Sequence, residues 1–491
     1  MTFEIEETSI ADIHAAYKEG SLTAVDLTEG YLARIAALDN AGPELNAFVM
    51  MNPAALDRAA ELDKIYAETG TFVGPLHGIP IGIKDQAETA GIETSFGSAA
   101  LKGYVPKEDA TIVKKLHEAG AILLGKLTMP DFAASWWGYG SVHGITRCPY
   151  ALDRDSGGSS GGTGSAVSAN LVAVGIGEDT GGSIRLPSSI NNLCGLRVTP
   201  GMISRNGLSP LLVPLDTAGP MGRSVRDIAT VLDVLVGYDP KDPYTSINKI
   251  AGHTGSYTQY LEEGALDGAR FGTIKEAFGD DANSDCARVN KVVRAAMETM
   301  KEAGATFVEL SIPDLPDWLN DTSLYISRSR NDVDTFLKSR GFPHTLRSIY
   351  DSGKYDKNLD LIPALATQAP ETPQEDPDYY AKVVKGTEMQ RMIVGFMAEH
   401  DLDGICFPSL QIQSPPHEEL ASGMWPALEY PTNTVIASQS LIPAISVPAG
   451  FTDMGLPIGI EIIAPPHHEP DLLRLGYAFE QLTNWRRKPE F

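Results

Sequence analysis

Cysteine, basic charge and long apolar runs are all scarce in this chain. Cys148, Cys194, Cys286 and Cys406 are the only cysteines in 491 residues and form no Cys-x-x-Cys pair. They read as buried thiols of a cytoplasmic protein, which excludes a disulfide framework and a cysteine metal site. No stretch approaches the ~20 apolar residues needed to cross a bilayer. Met1 to Glu7 is acidic and lacks a basic start followed by an apolar block, so no signal peptide is expected. Bases are outnumbered: 39 Lys and Arg face 64 Asp and Glu, a formal net charge of -25. Nucleic-acid binding needs a dense basic face, and an anionic membrane surface would repel this chain. The sequence therefore predicts neither partner, and a homodimer is compatible with it.

What remains is globular. The apolar fraction of 43% and charged fraction of 21% are those of a folded protein with an acid-biased surface. At about 150 residues per domain the length suggests roughly three domains, a soft prior.

Periodicity sharpens it. Ser9 with Asp12 resembles a helix capping box closed by Gly20, and Leu27, Tyr31, Ile35 and Leu38 mark one face of a second helix. Ile79, Ile81 and Ile83 alternate like a strand that delivers Lys84 and Asp85 at its end. Ala110 to Ala119 reads as helix, and Ala121 to Gly125 as a strand buried on both faces. Leu171 to Ile176 looks similar. Strand signals return at Pro443 to Pro448 and Leu456 to Ile463, before a closing helix over Asp471 to Gln481. Helix and apolar strand in alternation predict a single α/β/α sandwich around a mixed, largely parallel twisted sheet. The expected organisation is one domain over 1–491, with a core at 70–235, a variable excursion at 240–400 and returning strands at 403–482. Pro363, Pro370, Pro373 and Pro377 punctuate an acidic stretch of that excursion, read as surface loop.

The chemistry concentrates in Ser156-Gly-Gly-Ser159-Ser160-Gly-Gly-Thr-Gly-Ser165, followed by Asp179-Thr-Gly-Gly-Ser183-Ile-Arg185. Glycines this dense imply unusual dihedrals or very close backbone approach. A flexible linker would not be flanked by the Val172, Val174, Ile176 pattern of a buried element. Phosphate binding lacks a Walker or Gly-x-Gly-x-x-Gly pattern. A nucleophile elbow matches Gly157-Gly-Ser159-Ser-Gly161, but needs a buried strand directly before it, where Pro149 to Ser156 reads as polar loop. It also needs a late histidine, and His467 and His468 lie in a Pro-flanked turn.

The strand ending in Lys84, the Gly-Gly-Ser-Ser-Gly-Gly block and Asp-Thr-Gly-Gly-Ser-Ile-Arg together resemble the amidase signature family. The separation of Ser159 from Ser183 agrees, and Gly455-Leu-Pro-Ile-Gly459 fits as well. The resemblance implies Ser183 as nucleophile, Ser159 as bridging serine behind a cis peptide bond, and Lys84 as base. It implies an oxyanion hole from the backbone of Thr180, Gly181, Gly182 and Ser183, with Ser160, Asp179 and Arg185 in support, and no metal or cofactor. Lysine acts as a base only when neutral, and burial disfavours its ammonium. An ion pair with a neighbour such as Asp85 would oppose this.

By the same resemblance Trp136, Trp137 and Tyr139 line the acyl pocket, unless they pack the core. Tryptophans there suit a small or medium amide with an aryl or alkyl group. They depart from the small polar residues usual in the glutamine amidotransferase subunit of similar length, which releases ammonia within a complex. Carbamates and esters would use the same serines. Arg328, Asp332 and Asp334 either recognise a polar group or form solvated surface.

Overall fold

Alternation at Ile79, Ile81 and Ile83 does build a strand, and it lies near one end of a large sheet. In the computed structural model, which describes residues 3–251 and 255–491, eleven strands form that sheet. In chain order they are β1 (Phe48–Met51), β2 (Pro80–Lys84), β3 (Ile122–Leu127), β4 (Val174–Asp179), β5 (Cys194–Arg197) and β6 (Thr217–Gly222). β7 (Arg270–Ile274), β8 (Thr306–Leu310), β9 (Gly404–Pro408), β10 (Ala444–Phe451) and β11 (Pro457–Ile463) follow. Their spatial order is β1-β3-β2-β4-β6-β5-β10-β11-β9-β7-β8. Parallel pairs occupy two blocks, β3-β2-β4 and β9-β7-β8, joined through the antiparallel run β6-β5-β10-β11. The sheet is mixed, within an α/β fold.

Helix ends follow local chemistry. α1 (Ile10–Glu19) begins with the capping box: Ser9 Oγ accepts from the Asp12 amide at 3.1 Å, and Asp12 accepts from the Ser9 amide at 3.0 Å. Gly20 ends it at φ 68°. α2 (Ala24–Leu38) buries Leu27, Tyr31 and Ile35. Two short helices start at the glycine-rich segments: α3 (Gly161–Ser168) and α4 (Arg185–Ile190), both wholly buried. α5 (Tyr325–Ser339) and α6 (Thr434–Gln439) bring Tyr325 and Thr434 against Gly181 and Gly182, and α7 (Glu469–Thr483) closes the chain against β10. All four cysteines are buried and free.

Three expectations need correction. The 240–400 excursion is not separate from the sheet, because β7 and β8 lie in it and extend the sheet's edge in parallel with β9. The acidic, proline-marked stretch holds a helix, Leu361–Thr367, with Leu361, Ile362, Leu365 and Ala366 buried. Pro363 sits in its first turn, where a missing N–H leaves no bond unmade. Ala151–Asp155, read as loop, is a strand paired in a two-stranded ribbon with Arg147–Cys148. Met1 and Thr2 of the acidic N-terminal stretch lie outside the described residues.

Candidate active site

β2 and β4 run parallel and adjacent, so their C-terminal ends bring Lys84 beside Glu178 and Asp179. Such strand ends are where open α/β sheets place their ligands. Lys84 Nζ donates to Ser159 Oγ at 2.8 Å. It also meets the Glu178 backbone oxygen at 3.1 Å and Glu178 Oε2 at 3.2 Å. The Gly158–Ser159 peptide bond is cis, as the family resemblance implies. Ser183 follows β4 by four residues, and its carbonyl accepts from the Ser160 amide at 3.2 Å. The two glycine-rich segments are thereby tied side by side.

Ser160 does not join the Lys84–Ser159 line. Its hydroxyl bonds the backbone of Glu178, donating to the carbonyl at 3.2 Å and accepting from the amide at 3.2 Å. That pins the first segment to β4. Asp179 binds the second: it accepts from the Gly182 amide at 2.8 Å and the Ile184 amide at 3.1 Å. Arg185 reaches Asp179 through Nε at 3.2 Å and Nη2 at 3.1 Å, and also engages Glu461 and Ser438. Arg197 donates to Asp179 Oδ1 at 2.8 Å. Two carboxylates and two guanidiniums, all with 0% side-chain exposure, therefore balance in charge around this loop. Burial alone would raise the Asp179 carboxyl, but Arg185 and Arg197 outweigh it and hold Asp179 far below the usual range. Asp179 and Arg185 are bonded to each other beside this turn, and Arg197 and Glu461 join the same group.

One oxyanion expectation changes. The Gly182 amide is committed to Asp179, so it does not point freely into the site. No protein acceptor holds the amides of Thr180, Gly181 or Ser183 among the described residues. Glycine is required on this turn by space. At Gly182 the φ is +124°, and a Cβ would lie 1.8 Å from Thr434 Oγ1. At Gly181 a Cβ would lie 2.1 Å from the Tyr325 hydroxyl.

The alternative of an ion pair between Lys84 and a neighbour such as Asp85 does not form. Asp85 turns instead to Lys126 on β3, at 3.2 Å. The buried partner of Lys84 is Glu178, which sequence reading missed. Burial lowers the Lys84 pKa, against the pull of Glu178, and burial pushes Glu178 up to about 8.

The aromatic trio divides. Trp136 lines a cavity of about 560 Å³ together with Tyr325, Leu319, Tyr430 and Thr432. Its Nε1 donates to the Gly181 carbonyl at 3.2 Å, and Thr434 Oγ1 donates to the same oxygen at 2.8 Å. Trp137 and Tyr139 do not line that cavity. Trp137 packs behind Tyr430, ring centroids 5.7 Å apart, and Tyr139 packs on His417 at 5.8 Å. Arg328 pairs with Asp332 at 2.9 Å, and Arg330 with Asp334 at 3.7 Å, so these charges answer one another. His468 pairs with Asp471 at the surface, far in sequence from the serines and outside their contacts.

Comparison with known proteins agrees with this architecture. The family model Amidase matches residues 26–473. The chain belongs to the amidase signature family. As an amidase it is an enzyme acting on amide C–N bonds. A solved peptide amidase from Stenotrophomonas maltophilia is 33% identical, superposes with a TM-score of 0.87, and covers 99% of each chain. A bacterial aryl acylamidase is 25% identical at TM-score 0.82, covering 97% of this chain and 96% of that one. A glutamyl-tRNA(Gln) amidotransferase subunit of Chloroflexus aggregans is 32% identical over 99% of both chains. Among the described residues no helix of this amidase is long and apolar enough to cross a membrane, and no cluster of His, Cys, Asp or Glu could hold a metal ion.

Proposed function

We propose that the protein is a self-contained amidohydrolase that cleaves small to medium amides bearing an aryl or alkyl group, through an acyl-enzyme on Ser183. The observation that carries the reading is the Lys84 Nζ to Ser159 Oγ bond of 2.8 Å beside the loop that presents Ser183. Ser183 attacks the carbonyl as its proton passes to Ser159 and a proton passes from Ser159 to Lys84. The developing oxyanion is held by amides of the Thr180–Ser183 turn that lack a protein acceptor, chiefly Gly181 and Ser183. One such donor is worth about 3–4 kcal/mol. Ser159 then protonates the departing amine, which an amide needs because its nitrogen leaves poorly as an anion. Water releases the acid. The scheme needs no metal or cofactor.

Trp136 supports the substrate class. It forms one wall of the 560 Å³ cavity while its indole N–H holds the Gly181 carbonyl, so the pocket wall and the catalytic turn are one structure. Trp136→Ala is expected to raise KM for aryl and alkyl acyl amides about tenfold or more, in line with losing roughly 1.5–3 kcal/mol of apolar contact. Acetamide-sized substrates should change less, and equal losses on both would contradict this role.

A second reading is a partner-dependent protein that releases ammonia within a complex, favoured by the full-length 32% identity to the glutamyl-tRNA(Gln) amidotransferase subunits. The structural likeness leans the other way: a TM-score of 0.87 to peptide amidase against 0.77, at 24% identity, to the amidotransferase subunit from Thermotoga maritima. The purified chain alone, given amide, anilide, carbamate and ester substrates sharing one acyl group, separates the readings. Turnover of the anilide without partner or ATP supports the amidohydrolase. Glutaminase activity that requires an added partner would overturn it. The carbamate and ester arms show how far the same serines reach.

A further inference from the structure

Lys84 has one buried side-chain partner besides Ser159, and it is an acid. Glu178 Oε2 lies 3.2 Å from Nζ, and both side chains are 2% exposed. The other carboxyl oxygen of Glu178 lies 3.3 Å from Thr180 Oγ1, and that hydroxyl donates to Asp216 Oδ1 at 2.6 Å. One hydroxyl carries one proton. With Asp216 taking it, Glu178 Oε1 faces the oxygen of Thr180, an arrangement that suits a protonated Glu178 carboxyl in the resting site. Asp216 is itself held by the Leu211 and Leu212 amides at 3.0 Å each.

Glu178 also lines a second cavity, of about 270 Å³, with Gln86, Ser209, Asp216, Arg205 and Arg340. Gln86 Oε1 and Ser209 Oγ are buried there without a hydrogen-bond partner. Unpartnered polar atoms facing a cavity of this size suit ordered water, which gives Glu178 a route for proton exchange.

We propose that Glu178 is a positioning residue whose carboxylate sets the strength of Lys84 as a base, by balancing the ammonium that forms when Lys84 takes the proton of Ser159. The inference rests on the relay given above. As the Ser183 oxygen bonds to the carbonyl carbon, its proton moves to Ser159, and the proton of Ser159 moves to Lys84. Where Glu178 has first released its own proton to solvent, as the pH passes about 8, the buried site then holds an ammonium against a carboxylate, a neutral pair, in place of a lone buried cation. Collapse of the intermediate returns the proton through Ser159 to the leaving nitrogen. The arrangement parallels a carboxylate supporting the histidine of a serine hydrolase, with lysine as the base.

Most charges around the Lys84–Glu178 pair are bonded elsewhere, while burial raises the Asp216 carboxyl as well as that of Glu178. Asp179 and Arg197 face it but are bonded to each other. Tyr325 from α5 and Asp216 lie on its other sides. Across the cavity Arg205 pairs with Asp242, Arg340 with Glu88, Lys241 with Glu108 and Asp332 with Arg328. Burial pushes the Glu178 carboxyl up to about 8, with Lys84 pulling it down.

The test is kcat against pH from 6 to 10 for the whole enzyme on an anilide. The wild type is expected to rise at least tenfold through about pH 8, as Glu178 becomes a carboxylate. Glu178→Gln is expected to lose that step and to be at least tenfold slower than wild type at pH 9. A role in packing alone would scale the entire profile and leave the step in place, which would overturn the proposal. Glu178→Asp retains a carboxylate set one methylene back and is expected to show a displaced, smaller step. It decides the matter if the glutamine variant does not fold, and an unaltered step in Glu178→Asp would equally overturn the proposal. Lys84→Ala separates the two levels. If it stays active, the underlying relay fails; if it is inactive while Glu178→Gln keeps the wild-type step, only the role of Glu178 fails.

Discussion

Lys84→Ala is expected to lower kcat by about 10²–10⁴-fold, the range for a positioned acid–base group. Ser183→Ala is expected to reach background, a loss on the order of 10⁶-fold, as for the nucleophile of other serine hydrolases. The difference has a structural reason. Without Lys84 the turn that presents Ser183, its free amides and its charge-balanced brace all remain, so carbonyl polarisation survives while proton removal is lost. Without Ser183 no covalent step exists. Both variants should retain wild-type circular dichroism, because the one backbone bond the Lys84 side chain makes, to the Glu178 carbonyl, joins two strands already held by their parallel ladder. The double variant should lose no more than Ser183→Ala, since the two residues act in one step. Near-normal rates for Lys84→Ala at neutral pH would contradict the relay.

The second large effect concerns folding. Asp179→Ala is expected to destabilise the protein by about 3–5 kcal/mol, because it strands buried guanidiniums. Arg185 would keep only Glu461, and Arg197 would lose its carboxylate partner. The Gly182 and Ile184 amides would lose their acceptor as well. A fall in the urea midpoint reads this out. Its pH dependence has a definite sign. The folded Asp179 carboxyl sits far below its unfolded value of about 3.9. Its contribution is therefore present in full above about pH 4 and is lost as pH falls toward the folded value. The gap between wild type and Asp179→Ala should be constant from pH 5 to 7 and should narrow below pH 4. A gap that widened in acid would contradict the assignment.

How much of this was legible in the sequence depends on what kind of contact each residue makes. The alternating isoleucines placed Lys84 at the end of a strand, and its role as base came only from the resemblance to the amidase signature family. The serines were legible because dense glycine marks a backbone under close approach, and the Cβ clashes at Gly181 and Gly182 bear out that reading of the turn. Glu178 was missed although a signal existed. An acid closing the apolar run Val172 to Ile176 is buried with the strand, and a buried acid needs a cation from a neighbouring strand. Sequence adjacency offered Asp85 as the alternative partner of Lys84. Asp85 lies just past β2 and turns to Lys126 of β3, a partner that only the strand order reveals. Trp136 and Trp137 could not be told apart, because the segment between β3 and the ribbon has no repeating period. β7 and β8 were missed because each is five residues long, β7 being buried by pairing beside β9 while β8, at the sheet edge, is mostly not buried. Pro363 misled for a local reason, since proline signals a break within a helix but fits its first turn.

The central claim is a covalent acyl group on Ser183, and intact-protein mass spectrometry tests it most directly. An anilide or an activated ester of the same acid is mixed with the enzyme and quenched in acid within milliseconds to seconds. The account predicts a mass increase equal to one acyl group, mapping to the peptide that contains Ser183 and absent from Ser183→Ala. An acyl group on Ser159 or elsewhere, or full turnover by Ser183→Ala, would contradict it.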